Sequence, residues 1–126
     1  MTVVVDASAL LALVNAEPGM NVVSEAIPGA AISAVNLSEV IAKLTVGEMP
    51  EGEIGVSLGG LGLDVVAFDA DQAYTAGLLQ APMRSRGLSF GDRACIALGI
   101  RLGCDVLTAD RGWAGLDLGV GVKLIR

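Results

Sequence analysis

The stretch S-F-G-D-R-A-C-I-A-L-G-I-R-L-G-C-D-V-L-T-A-D-R, residues 89–111, decides how this chain is read. Ser89 stands at the mouth of an apolar run with Asp92 three residues on, the pattern that opens and caps a helix. The run reaches Leu102 and stops at Gly103, the residue type suited to the left-handed turn that ends helices. Asp105–Thr108 then reads as a short strand, and Asp110 lies just beyond it. A helix, a turn and a strand bring the chain back to the level at which it started. The 18-residue separation therefore sets Asp92 and Asp110 at one edge of a sheet.

The same grammar extends outward. Thr2–Val5 is an all-β-branched strand ending at Asp6, followed by A-S-A-L-L-A-L-V-N at helical period and a break at E-P-G-M-N. A second helix is expected over Asn21–Ala26, a strand over Ala30–Ser33, and an amphipathic helix over Val35–Gly47. Leu37, Val40, Ile41 and Leu44 share one face of that helix, with Glu39 near its start. The glycine-rich segment 47–62 predicts a weak helix with loops, beginning at Pro50-Glu51. Leu63–Phe68 reads as a third strand, and Asp69 as the cap of a helix reaching about Arg84, with Asp71 in its first turn. Gly112–Leu116 is a short turn or helix and Val120–Ile125 a last strand. About five short strands alternating with helices predict an α/β fold. Its doubly wound, mostly parallel sheet would carry helices on both faces, with residues 1–126 forming a single domain.

Composition narrows the function classes. The chain is 53% hydrophobic, yet no uncharged apolar run approaches the roughly 18 residues of a membrane span. Met1 leads directly into a strand, without the basic start of a secretory signal. Cys95 and Cys104 make neither a disulfide framework nor a zinc site and read as free thiols in a reducing cytoplasm. The apolar excess suggests a buried oligomer or partner interface, unless it only reflects an aliphatic core. The net charge of −6 opposes a general nucleic-acid coat, but charge is unevenly placed. Residues 1–83 hold ten acids against one base, Lys43, while residues 84–126 hold seven bases against four acids. Basic charge beside an acidic site suits a protein that grips a phosphate chain.

Four acids stand out because apolar sequence surrounds them: Asp6, Glu39, Asp92 and Asp110. A carboxylate in such a setting needs a hydrogen bond, a counter-charge or a metal. All four belong at the carboxyl edge of the predicted sheet, where doubly wound folds bind ligands. Oxygen donors with no histidine in the chain favour Mg²⁺ or Mn²⁺ over zinc. Each acid also has a plainer reading. Asp6 can cap the first helix, Asp92 can be the capping-box partner of Ser89, and Asp110 can be a turn residue. Glu48, Glu51 and Glu53 read as a solvated patch.

The motifs together resemble the PIN-domain ribonucleases, and within them the VapC-type toxins of type II toxin–antitoxin pairs. The matching stretches are V-V-D-A-S-A-L-L-A-L, I-S-A-V-N-L-S-E-V, S-F-G-D-R-A-C-I-A-L-G, V-L-T-A-D-R-G-W-A-G-L and the closing V-K-L-I-R. The resemblance implies an endoribonuclease that cleaves RNA with metal-activated water, using Mg²⁺ or Mn²⁺ held by Asp6, Glu39, Asp92 and Asp110. Asp6 and Asp92 would be the principal ligands. Ser8 and Thr108 match small hydroxyl positions beside that site, and Arg93 and Arg111 are candidates for RNA phosphate contacts. The resemblance further implies a homodimer and a small antitoxin partner. Gly91 departs from a firm helix start and is expected to loosen the turn that carries Asp92.

Other readings compete. An RNA-processing PIN nuclease outside a toxin system would share every motif. A PIN-like domain that binds RNA or protein without cutting would normally have lost an acid. A phosphatase with an aspartate nucleophile would resemble D-x-D-x-T after the first strand, where this chain has Ser8 two residues beyond Asp6.

Overall fold

In the computed structural model, which describes residues 2–83 and 86–126, short strands and helices alternate along the chain. They run β1 (Val4–Val5), α1 (Ala7–Val14), α2 (Met20–Ala26), β2 (Ala31–Ser33), α3 (Ala34–Val46), α4 (Glu51–Gly59) and β3 (Asp64–Val66). Then come α5 (Ala70–Leu78), α6 (Gln80–Met83), α7 (Phe90–Leu102), β4 (Val106–Thr108), a 3₁₀ turn (Arg111–Trp113) and β5 (Val122–Leu124). The strands form one sheet in the order β3-β2-β1-β4-β5, and every pairing is parallel. The chain winds outward from β1 through β2 to β3, then crosses back to β4 and β5. The switch point therefore lies between β1 and β4, where their following segments diverge.

Two-residue alternation divides the core. Val5, Ile32 and Leu107 point to one side of the sheet, into the cluster built with Leu10, Val23, Val40 and Leu44. Their neighbours Val4, Ala31 and Val106 point to the other, against Cys95, Ile96, Leu98 and Trp113. Apolar side chains on both faces explain why the central strands read as continuous hydrophobic runs. Gly103 ends α7 at φ +63, as its position predicts.

The differences from expectation are local. The outer strands are shorter than their apolar runs, because β3 is an edge with Asp64 and Val65 exposed. The helix expected from Asp69 onward divides after Leu78, and α6 carries Pro82; its expected end at Arg84 lies outside the described residues. The glycine-rich segment does form a helix, α4, starting at Glu51 after Pro50.

Candidate cation site at the switch point

Asp6 leaves the end of β1, where its backbone N–H donates to the Leu107 carbonyl of β4 at 3.1 Å. Its side chain, only 5% exposed, caps α1: Oδ1 accepts from the Ala9 N–H at 2.9 Å and from the Ser8 hydroxyl at 2.7 Å. Oδ2 accepts from the Thr108 hydroxyl at 2.5 Å. Each hydroxyl gives its single proton to Asp6 and receives a backbone N–H in return. Ser8 Oγ accepts from Ala109 at 2.9 Å, and Thr108 Oγ1 from Asp110 at 3.0 Å. Ser8 and Thr108 thus lock Asp6 to the end of β4. Burial raises the Asp6 carboxyl above its ordinary range, the bonds from Thr108, Ser8 and Ala9 pull it down, and the Asp92 charge adds to the rise.

Asp92 occupies the first turn of α7 in a reciprocal capping box. Its N–H donates to Ser89 Oγ at 3.1 Å, and its Oδ2 accepts from the Ser89 N–H at 2.9 Å. Asp110 follows β4 and caps the 3₁₀ turn, accepting from the Gly112 N–H at 2.8 Å. Glu39 lies in the second turn of α3 and accepts from the Asn36 amide at 2.8 Å. The plainer reading of each aspartate, as a helix or turn cap, therefore holds, and the same geometry aims all of them at one place.

That place is a cavity of about 220 Å³ lined by Asp6, Glu39, Asp92 and Asp110 together. Ser8, Asn36 and Ser89 complete its polar wall, and Lys43 is the one basic residue among the described lining residues. Glu39, Asp92 and Asp110 each commit one oxygen to a protein donor and keep the other without a donor among the described residues. The N-termini of α1 and α7 meet here, adding positive dipole ends beside the acids. One turn deeper in α7, burial and then the charges of Asp6, Asp92 and Glu39 push the Cys95 thiol well up. That thiol is fully buried, and neither it nor Cys104 is among the described residues lining the cavity, so the acidic donor set there is oxygen only. Such a set suits a hard divalent cation. As the side chains stand, no three acids among the described residues are grouped closely enough to enclose an ion.

Neither arginine singled out by sequence lies on the cavity wall. Arg93 turns its guanidinium toward α5, donating to the Ala76 carbonyl at 3.1 Å and lying 5.8 Å from the Phe90 ring centroid. Arg111 donates to the Arg126 carbonyl at 3.3 Å. Asn36 and Lys43 were missed as site residues. Their signal is helical spacing, three before and four after Glu39, which puts all three on one face of α3. Nor does Gly91 loosen its turn: it is buried, and the Glu39 carboxylate packs into the space a side chain there would take. A larger cavity of about 340 Å³ lies between α3, α4 and β3, walled by Leu37, Ile41, Ile54, Leu58 and Leu63, with no polar side chain for chemistry.

An all-parallel α/β sheet with four acids around its switch point defines the class: a doubly wound domain with a carboxylate-lined cavity at the strand ends. Residues 3–118 match the profile of the PIN domain, and the chain belongs to that family. No curated protein matches it by sequence. Among solved structures it is similar to a DNA-bound VapBC from Salmonella typhimurium, with a TM-score of 0.79 at 18% identity, covering 100% of this chain and 99% of that one. It is also similar to a toxin–antitoxin complex from Klebsiella pneumoniae, with a TM-score of 0.78 at 18% identity over 99% of this chain and 98% of that one. A third is VapC20 of Mycobacterium tuberculosis, described as a sarcin–ricin-loop-cleaving toxin, with a TM-score of 0.71 at 19% identity over 87% and 91%. At these identities the likeness establishes a shared fold.

Proposed function

We propose that this chain is a Mg²⁺- or Mn²⁺-dependent endoribonuclease, a single PIN domain acting as the toxin of a toxin–antitoxin pair. The observation that carries the reading is the convergence of four carboxylates from separate segments on one small cavity, three of them with an oxygen left free of described donors. Structural carboxylates would pair with bases, yet Lys43 is the one base on the described wall. Asp6 and Asp92 would be the principal ligands, completed by Glu39 and Asp110. A divalent cation held by these residues would supply an activated water and charge neutralisation at a phosphodiester.

The protein's own groups do the rest. Ser8 and Thr108 fix the Asp6 carboxylate, and the Ser89 capping box fixes Asp92. Lys43 contacts a substrate phosphate across the cavity, with Arg111 beyond Asp110 serving the strand as it leaves. Arg93, engaged with Ala76 and Phe90, steadies α7 against α5. Exposed Tyr74 and Leu78 on α5 and Phe90 on α7 support a homodimer. The toxin–antitoxin complexes that share this fold support an antitoxin partner. None of the described helices is long and apolar enough to cross a membrane.

The test is Asp6→Asn and Asp92→Asn, each purified and confirmed folded. Both variants should lose nearly all metal-dependent RNA cleavage, and Asp6→Asn should relieve any growth arrest caused by expressing the wild type. Cleavage by either variant at the wild-type rate would defeat the assignment.

A further inference from the structure

Asn36 is 1% exposed, in the first turn of α3. A primary amide buried in an apolar helix face is costly unless its hydrogen-bonding groups are used. Its Nδ2 donates twice, to Glu39 Oε1 at 2.8 Å and to the Gly91 carbonyl at 2.9 Å, while its buried Oδ1 has no partner among the described residues. Two oxygen acceptors on that side fix the amide's orientation, since turning it over would set Oδ1 against both. The Glu39 carboxylate in turn lies on the backbone of Gly91: a Cβ there would fall 2.2 Å from Oε1 and 2.5 Å from Cδ. A Cβ at such distances forces the carboxylate aside, so glycine is what lets Glu39 lie in this place. Gly91 directly precedes Asp92. One amide therefore ties a carboxylate of α3 to the turn of α7 that carries another.

We propose that Asn36 and Gly91 are positioning residues for the cation site. Asn36 clamps Glu39 and tethers α3 to α7, and Gly91 provides the space in which the clamped carboxylate lies beside Asp92. A glutamate held this way no longer loses the rotamer freedom of its long side chain when it closes on an ion. The inference rests on the reading of the four acids as a cation site. It adds that Asn36 acts through Glu39 and not on the ion directly.

Calorimetric titration with Mn²⁺ alone, run beside metal-free melting, separates this from a merely structural role. Asn36→Ala, Asn36→Asp (same shape, no donor) and Gly91→Ala should each weaken Mn²⁺ binding about tenfold or more, as loss of a partner to a metal ligand commonly does. Glu39→Gln should weaken it too, and adding Asn36→Ala in that background should change the dissociation constant less than about twofold, because groups acting as a unit are non-additive. A fold-only contribution would leave the two effects multiplying. If Asn36→Ala does not fold, Gly91→Ala carries the test, since it leaves the Asn36 amide in place and should displace only Glu39. Wild-type binding that Asn36→Asp and Gly91→Ala leave unchanged, or full multiplication in the double variant, overturns this inference alone. Absence of Mn²⁺ binding and RNA cleavage by the wild type overturns the proposed function and this inference with it.

Discussion

Replacing Thr108 by valine keeps the shape of a fully buried side chain and deletes one hydroxyl. That hydroxyl donates to Asp6 Oδ2 at 2.5 Å and accepts the Asp110 N–H at 3.0 Å. A hydrogen bond to a charged group contributes about 1.5–3 kcal/mol, and leaving the Asp110 N–H without its acceptor costs about 1–3 kcal/mol. The added methyl returns roughly 0.8 kcal/mol of apolar burial. The net loss is about 3 kcal/mol. At an unfolding entropy of about 2.1 cal/mol/K per residue, the variant should melt about 11 °C lower. The pH dependence identifies the cause. Burial already raises the Asp6 carboxyl, and the Thr108 bond is the strongest pull downward. A carboxyl raised in the folded state makes the native protein bind its proton more tightly than the unfolded chain. Stability then falls as pH climbs from the unfolded value through the folded one. Removing the hydroxyl raises the folded value further, so valine extends that fall. The difference between the two proteins should be smallest where Asp6 is protonated in both, leaving mainly the cost of the unpaired Asp110 N–H, and grow as pH rises past the wild-type value. Urea unfolding in a chelator, repeated across the acidic to neutral range, measures it. A difference that is constant or shrinks with rising pH would refute the reasoning, and Thr108→Ser should restore most of the stability.

Two further outcomes are expected. Asp6→Asn removes a buried charge and keeps an acceptor for the Ala9 N–H, but sets an amide donor where Oδ2 accepted the Thr108 hydroxyl, so in chelator its loss of stability should be greatest at acidic pH. Its relative stability should improve as pH rises above the carboxylate range, and a deficit that grows toward neutral pH in urea titration would contradict the account of Asp6. Lys43→Gln should raise KM for RNA several-fold with little change in kcat, and should lower the slope of binding against salt by about 0.7, the value for one phosphate contact on a single strand. An unchanged salt slope would remove Lys43 from the substrate path.

Much of this architecture was legible because the fold repeats one device. An apolar run ends in an acid, and a helix begins there: Val5-Asp6 before α1, and Thr108 to Asp110 before the 3₁₀ turn. The existence of the strands and their succession along the chain followed from those runs, while strand lengths did not, because hydrogen-bond partners and not apolarity set where β3 stops. The acids were legible for the same reason, as charges in hydrophobic surroundings. Asn36 was not, since an amide on a helix declares nothing until its acceptors are known, and one of them lies 55 residues away. Gly91 was misread for a related reason. Its meaning is the approach of Glu39 from another helix, which local sequence does not carry. The direction of Arg93 was not legible either, because adjacency to an acid along the chain says little about where a side chain turns. Residues 92 and 93 point to different sides of α7.

Because Asp6, Asp92 and Asp110 hold backbone N–H groups as well as facing the cavity, their two duties answer to different chemistry. Asparagine serves a helix start about as well as aspartate, whereas alanine costs about 1 kcal/mol. A lineage that stopped needing the negative charge could therefore retire it at little structural expense by amidation-like substitution. Descendants of this chain that had given up their chemistry should then bear asparagine or serine at these positions far more often than alanine or a hydrophobic residue. Such replacement would mark lost activity in the sequence while the architecture stayed whole.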